Sequence, residues 1–278
     1  MLCISTSGVL GKNLLLIPSL SIWFRCLFAV VFIGLYCKWK LYSFRIAMDR
    51  RMAMVVASGV LMTAHWVSYF HALKHTSVAI AMIAVFTYPV ITTLLEPLIF
   101  KVRLQWRSIL LSSIILIGVY YLLPSFDIAE NDTKGLIFAL LAAVFYSFRN
   151  LILKREIENY NGSVLMFYQV LIAVVILAPL LYFKPPSLSV IILDLPYLIA
   201  LALITTAIGH TMFLNSFGHF SISTASIMSC LQPVFGIILA VLFLHEIPNT
   251  RSVLGGILII ACVSIESLLA IRSKSTEV

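Results

Sequence analysis

The stretch HTSVAIAMIAVFTYPV at residues 75–90 returns as HFSISTASIMSCLQPV at residues 219–234. The offset is a constant 144, and residues 75–119 lie on 219–263 without a gap. His75/His219, Ser77/Ser221, Ala81/Ala225, Ile83/Ile227, Pro89/Pro233, Val90/Val234, Arg107/Arg251, Ser108/Ser252 and Leu110/Leu254 coincide. Apolar coincidences arise from composition alone in a chain rich in Leu, Ile and Val; His, Pro and Arg matching in one register do not arise so easily. The chain therefore has two homologous halves. Each half holds five hydrophobic segments, and an odd number turns the second copy over in the membrane relative to the first. Inverted repeats are a carrier architecture, with the substrate site near the midplane where the halves meet.

Composition points the same way. Of 278 residues, 62% are hydrophobic and 11% charged, and the mean hydropathy is +1.07. Such a chain lacks the polar surface of a soluble globule. The apolar runs predict spans at 2–17, 19–37, 52–72, 77–100, 108–123, 134–153, 163–183, 195–217, 222–244 and 252–271, most near the ~20 residues that cross a bilayer core. Long continuous runs, without the alternation of a barrel strand, make these helices. The expected fold is an all-α polytopic membrane protein of ten transmembrane helices, built from two inverted five-helix repeats at residues 1–123 and 134–272. No connection exceeds 14 residues, which leaves no room for a soluble domain between spans. The first span is short, ~24 Å of helix against a ~30 Å hydrocarbon core. It reads poorly as a signal peptide, because no basic region precedes it and Lys12 interrupts it.

The net charge is +8, and its distribution explains it. Lys38, Lys40, Arg45, Arg50, Arg51, Lys101, Arg103, Arg107, Lys154, Arg155, Arg272 and Lys274 fall on one side of the expected topology, against Lys74, Lys134, Lys184 and Arg251 on the other. Twelve against four is a positive-inside signal. It favours an orientation signal over a nucleic-acid partner, places both termini in the cytoplasm and puts Asp127, Glu130 and Asp132 in an outer loop. Short loops favour a bacterial inner membrane over an organelle. The aromatic and basic loop 38–45 is expected to be a topological anchor at the interface, with a grip on anionic membrane lipid as the alternative. Cys3, Cys26, Cys37, Cys230 and Cys262 form no CxxC and are expected to be free thiols.

The segment Ala72–Ala81 followed by Tyr88-Pro89-Val90 resembles the helix 3–4 signature of EamA-type transporters of the drug/metabolite transporter superfamily. Ser221–Ser226, Leu231-Gln232-Pro233-Val234 and Phe243–Ile247 with Gly255-Gly256 resemble the helix 8–10 signature, including an acidic residue, Glu246, after the ninth helix. Gly8–Lys12 resembles the end of the family's first helix, and Arg25 the arginine of its second. In the first half the position equivalent to Glu246 is Val102, so the acid is kept in one repeat only. The resemblance implies a secondary carrier, working outward as an exporter.

Ionisable groups inside spans are costly and mark pathways. Lys12 and Arg25 lie at similar depth on adjoining spans, where they are candidates to bind an anionic substrate group such as a carboxylate; the alternative is that Lys12 snorkels to the outer surface and Arg25 bonds only helix-end carbonyls. Arg149 and Glu266 lie near span ends, where they can snorkel or line the path. Glu96 has two open roles, snorkelling or serving as a proton or counter-ion site. His65, Trp66 and Tyr69 cluster on the third span, and His210 and Phe213 hold the positions equivalent to Trp66 and Tyr69. Tyr146, Asn150, Gln169, Asn215, Ser226, Ser229 and Gln232 offer hydrogen bonds to substrate or to neighbouring helices. Pro89 and Pro233 bend their spans, either as paired hinges or as packing features. Gly34 and Gly255-Gly256 are expected to permit close helix packing.

No HExxH, no intramembrane aspartate pair and no metal-ligand spacing is present, and no Asp falls inside an expected span. An intramembrane enzyme thus lacks its reactants, and no metal or other cofactor is implied. No filter loop or ring of like charge favours a channel. A lipid-linked-sugar flippase and a nucleotide-sugar exchanger of the same fold remain alternatives to a carrier of a small polar metabolite. With no ATPase motif, the driving force is expected to be a gradient.

Overall fold

The computed structural model describes residues 1–100, 106–122, 130–156, 160–216, 229 and 231–275, with some side chains excepted, those of Glu96 and Glu266 among them. Among the described residues the chain forms ten helical segments. They are α1 (Leu2–Lys12), α2 (Pro18–Trp39), α3 (Arg50–His75), α4 (Val78–Val85 and Tyr88–Phe100), α5 (Trp106–Leu122), α6 (Asn131–Glu156), α7 (Gly162–Phe183), α8 (Leu188–Ser216), α9 (Leu231–Leu244) and α10 (Thr250–Ser275). Five stretches, Pro18–Trp39, Arg50–His75, Asn131–Leu153, Gly162–Phe183 and Leu188–Ser216, are each long and apolar enough to cross a membrane.

The packing has the two-fold character that an inverted repeat requires. α3 lies against α6 as α8 lies against α1; α3 meets α7 as α2 meets α8; α4 meets α6 as α9 meets α1. The pairs α2–α7 and α5–α10 each join a helix to its own repeat counterpart. Close contacts rest on small residues, as membrane interfaces do. A Cβ on Gly59 of α3 would lie 2.6 Å from Ile172 Cδ1 of α7, and one on Gly118 of α5 would lie 3.2 Å from Gly255 O of α10. Gly256 and Gly34 likewise face Ile83 and Phe167, in the packing role expected of them.

Two boundaries differ most from expectation. α1 stops at Lys12 rather than at 17, because Pro18 starts α2 at its first position and holds Ile17 extended (φ −63°, ψ 147°). α8 begins at Leu188 rather than at 195, so Asp194 lies inside a helix, against the expectation of none. The carboxylate is tolerated there because it accepts hydrogen bonds from Leu15 N (2.9 Å) and Leu16 N (2.8 Å). Hydropathy alone treats a charge as a span edge; it carries no information about backbone donors from another segment.

Two helices depart from regular winding where the halves meet. α4 breaks at a turn through Phe86–Thr87, and Pro89 sits in the first turn of its second piece. In α8 the stretch Leu201–His210 winds as a π-helix, five residues beyond Pro196. Its wide turns are stitched by threonines: Thr205 Oγ1 and Thr206 Oγ1 donate to Leu201 O at 2.5 and 3.0 Å. π-helical turns recur at functional sites because they re-aim side chains; here they aim Thr206 and His210 inward.

Candidate functional site

α1 is thin enough to sink between the halves. Gly8 and Gly11 bring it onto Val78, Phe70 and Leu73, and Gly209 of α8 admits Ile4 from the other side. Its Ser5 Oγ donates to Gln232 O of α9 at 3.0 Å. Beside it, six helices line a partly open cavity of about 530 Å³, its mouth included. Ile4 and Ser7 of α1, the triplet His65, Trp66 and Tyr69 of α3, and Met82, Val85, Phe86 and Tyr88 of α4 line one part. Tyr146 of α6, His210 of α8 and Gln232 of α9 line the rest. Both repeats therefore contribute to one wall, in register. Trp66 and its counterpart His210 meet edge to face at 5.6 Å between ring centroids, and Tyr88 lies on the wall with its counterpart Gln232.

The rings are held by polar contacts. His65 Nδ1–H donates to Ala142 O (2.9 Å), so its Nε2 edge remains for other partners. Its ring stacks on Tyr146 at 4.6 Å and on Tyr69 at 6.4 Å. The hydroxyls of Tyr88 and Ser229 are 2.9 Å apart.

Behind this wall lies Arg25 of α2, fully buried. Its Nε–H donates to Thr206 Oγ1 (2.7 Å) and its Nη1 to Ser7 Oγ (3.4 Å), while the guanidinium carbon stands 4.8 Å over the Trp66 ring and 5.7 Å over Phe70. Its Nη2 has no hydrogen-bond partner, and neither does the Tyr69 hydroxyl. No carboxylate among the described residues contacts Arg25. A charged group at membrane depth costs at least ~2.5–3.5 kcal/mol on insertion scales, and cation–π contact returns about 0.5–2 kcal/mol of it.

For Arg149 of α6 the sequence leaves snorkelling and lining the path open, and the structure decides against snorkelling. The residue is 1% exposed. Nη1 and Nη2 donate to Asn150 Oδ1 (2.9 Å) and Gln169 Oε1 (2.8 Å), and the guanidinium sits 5.5 Å from the Tyr146 ring centroid. The neighbouring amide oxygens and the ring make burial possible at a position that depth alone would assign to the surface.

The remaining candidates are dispersed. Gln169 is taken up by Arg149 and by Ser58 Oγ (3.3 Å). Asn215 ties α8 to α7 through Ser163 Oγ (3.0 Å) and does not line the cavity. Pro89 and Pro233 are buried. The Glu96 and Glu266 side chains, Ser226, Val102 and Cys230 lie outside the described residues. Ser7 and Tyr88 were missed by sequence reasoning; Tyr88 was within reach, since the repeat pairs it with Gln232.

Lys12 is held at one end of the bundle, sharing no contact with Arg25. Its Nζ donates to Thr76 O (2.5 Å) and lies 3.6 Å from Glu246 Oε1, while Glu246 Oε2 accepts from Val78 N at the start of α4 (2.8 Å). At the same end Lys74 donates to Leu14 O. His245, in the left-handed region (φ 56°), turns the chain off α9 and aims Glu246 across the halves.

A cavity lined in register by two pseudo-symmetric halves is a carrier's architecture, and comparison with known proteins bears on it directly. The model of the EamA-like transporter family matches residues 1–123 and 133–267. The chain belongs to that family. This EamA-like protein is 28% identical over 257 residues, 88% of its own length and 80% of the relative's, to the uncharacterized transporter YxxF of Bacillus subtilis (strain 168). It is 22% identical to the pseudopaline exporter CntI of Pseudomonas aeruginosa, over 79% of this chain and 77% of that one. A protein chain of known crystal structure superposes with a TM-score of 0.71, covering 97% of this chain and 95% of its own at 18% identity, a likeness of fold alone. The EamA-like protein is thus a multi-pass membrane transporter of the drug/metabolite type.

Proposed function

We propose that this transporter is a gradient-driven exporter of a small polar metabolite bearing a carboxylate or related anionic group, working by alternating access. The observation that carries the reading is Arg25: a buried guanidinium with one nitrogen unpartnered, backing a cavity that both repeats line. A transient anion from the substrate supplies the counter-charge that the described residues do not, and arginine's planar fork suits a carboxylate. Tyr69, whose hydroxyl also lacks a partner, stands beside it. Lys12 contributes field at the end of the path rather than direct contact.

The five-helix halves, residues 1–123 and 134–272, are the moving units. The charge bias places the Lys12–Glu246 end outside and both termini in the cytoplasm of a cell membrane. Outward direction draws support from the relative named as an exporter.

Untargeted comparison of intracellular and medium metabolites, in cells with and without the protein, tests the reading. The expected result is one or a few acidic metabolites depleted from the medium and retained in the cell when the protein is lost, restored by wild type and not by Arg25→Gln. Accumulation of a purely cationic compound, or full restoration by Arg25→Gln, overturns it.

A further inference from the structure

We infer that the cavity is built for a substrate with two acidic groups, one read from the Arg25 side and the second from Arg149. The inference rests on the carboxylate-exporter reading and deepens it. Arg149 is buried to the same degree as Arg25, and its Nε–H has no hydrogen-bond partner. The two oxygens it does meet, on Asn150 and Gln169, belong to neutral amides. Two of the described acidic side chains, Asp194 and Glu246, are engaged elsewhere: Asp194 by the Leu15 and Leu16 N–H groups, Glu246 by Lys12 and Val78 N. Among the described residues no carboxylate touches either guanidinium.

The repeat shows that the two cations form a matched pair. At the offset of 144, the counterpart of Arg25 is Gln169, the very residue that holds Arg149. Each half thus buries one guanidinium where its first two helices meet, α1 with α2 and α6 with α7, the arginine having changed helix between copies. Both act on the same space. Arg25 stands over Trp66 and Arg149 beside Tyr146, two rings of the one wall, each guanidinium lying just behind it. Between them the rings of Tyr69, His65 and Tyr146 stack in sequence. Two like charges behind one low-dielectric cavity raise its positive potential together. A single carboxylate compensates one of them; a substrate with two acids separated by a short apolar or polar spacer compensates both. Gln169 and Asn150 keep the Arg149 fork oriented in the absence of cargo, which a purely structural tie between α6 and α7 would also need, so the charge of the ligand is what separates the two roles.

Thermal-shift titration of the purified protein in nanodiscs, with butyrate, succinate, glutarate and adipate at matched ionic strength, decides it. Wild type is expected to bind at least one dicarboxylate about tenfold more tightly than butyrate, the gain of one charge-assisted contact. Arg149→Gln should weaken that dicarboxylate about tenfold and butyrate by much less, and Arg149→Lys, which keeps the charge, should retain part of the preference. Arg25→Gln should weaken all four. Equal affinity of wild type for butyrate and all three dicarboxylates, or equal weakening of both classes by Arg149→Gln, overturns the inference and leaves the carboxylate reading standing. Absence of binding by all four probes overturns the two together.

Discussion

Lys12 Nζ lies 3.6 Å from Glu246 Oε1, and through this pair the first half of the chain holds the second. Repeat symmetry makes the contact informative. At the offset of 144 Lys12 corresponds to Glu156 and Glu246 to Val102, and a glutamate with a valine forms no ion pair. In an inverted repeat the equivalent position belongs to the opposite end of the bundle, so the repeat supplies no matching ion pair there, and the Lys12–Glu246 pair is predicted to act as a latch that favours closure at its own end.

The pair is partly exposed, at 29% and 23%, and such pairs contribute about 0.2–1 kcal/mol. Glu246→Gln should therefore raise the population open at that end by up to about fivefold. A cysteine at Met82 on the cavity wall, in a cysteine-free background, reports this: an impermeant maleimide applied from outside should label it faster in the Glu246→Gln protein. An unchanged labelling rate removes the latch from the mechanism.

Orientation has its own test. Ser43 and Ile247 are both exposed, on loops at opposite ends of the bundle. The charge count predicts that Ile247→Cys reacts with an impermeant reagent in intact cells and that Ser43→Cys reacts only after permeabilisation. The reverse pattern would place the latch on the cytoplasmic side and turn the proposed direction of loading around.

The fold was legible because its signal is spread over many residues. Apolar runs and a register of matched His, Pro and Arg survive any single exception. The ring cluster of His65, Trp66, Tyr69, Tyr146 and His210 was legible for a related reason, since large polar-edged side chains at span centres have few other places to go. Asp194 and Arg149 were not, because what makes their burial tolerable is supplied by distant groups. The backbone N–H groups of Leu15 and Leu16 and the amide of Gln169 reach them across helix contacts that no local pattern encodes. The partner of Lys12 was hidden for the same reason, since Glu246 lies 234 positions away.

Gly59 tests the packing of α3 on α7. A Cβ there meets Ile172 at 2.6, 2.9 and 3.0 Å, closer than side chains approach without displacement. Gly59→Ala should destabilise by roughly 1–3 kcal/mol through overpacking, read as a lower midpoint in a fluorescence thermal melt. Adding Ile172→Ala should recover part of the loss. A double variant no more stable than Gly59→Ala alone would show that the cost arises elsewhere.

Pro89 stands where the wall of the cavity breaks. α4 turns at Phe86–Thr87, with Thr87 N and Oγ1 both bonded back to Ala84 O (3.1 and 2.8 Å), and Pro89 has no N–H to offer the carbonyl of Val85 four residues earlier. Val85 and Tyr88 both line the cavity, so a change of angle at this turn alters the wall that faces the substrate. Pro233, its repeat counterpart, lies near the start of described α9, next to Gln232 of the same wall. If the two prolines are hinges, Pro89→Ala restores a donor, lets the helix run on and stiffens the joint. Pro89→Ala and Pro233→Ala should then give folded protein with an undiminished thermal midpoint, a turnover slowed several-fold and little change in substrate affinity, the pattern expected when a conformational step limits the rate. Transport by both variants at the wild-type rate would leave the prolines only a packing role.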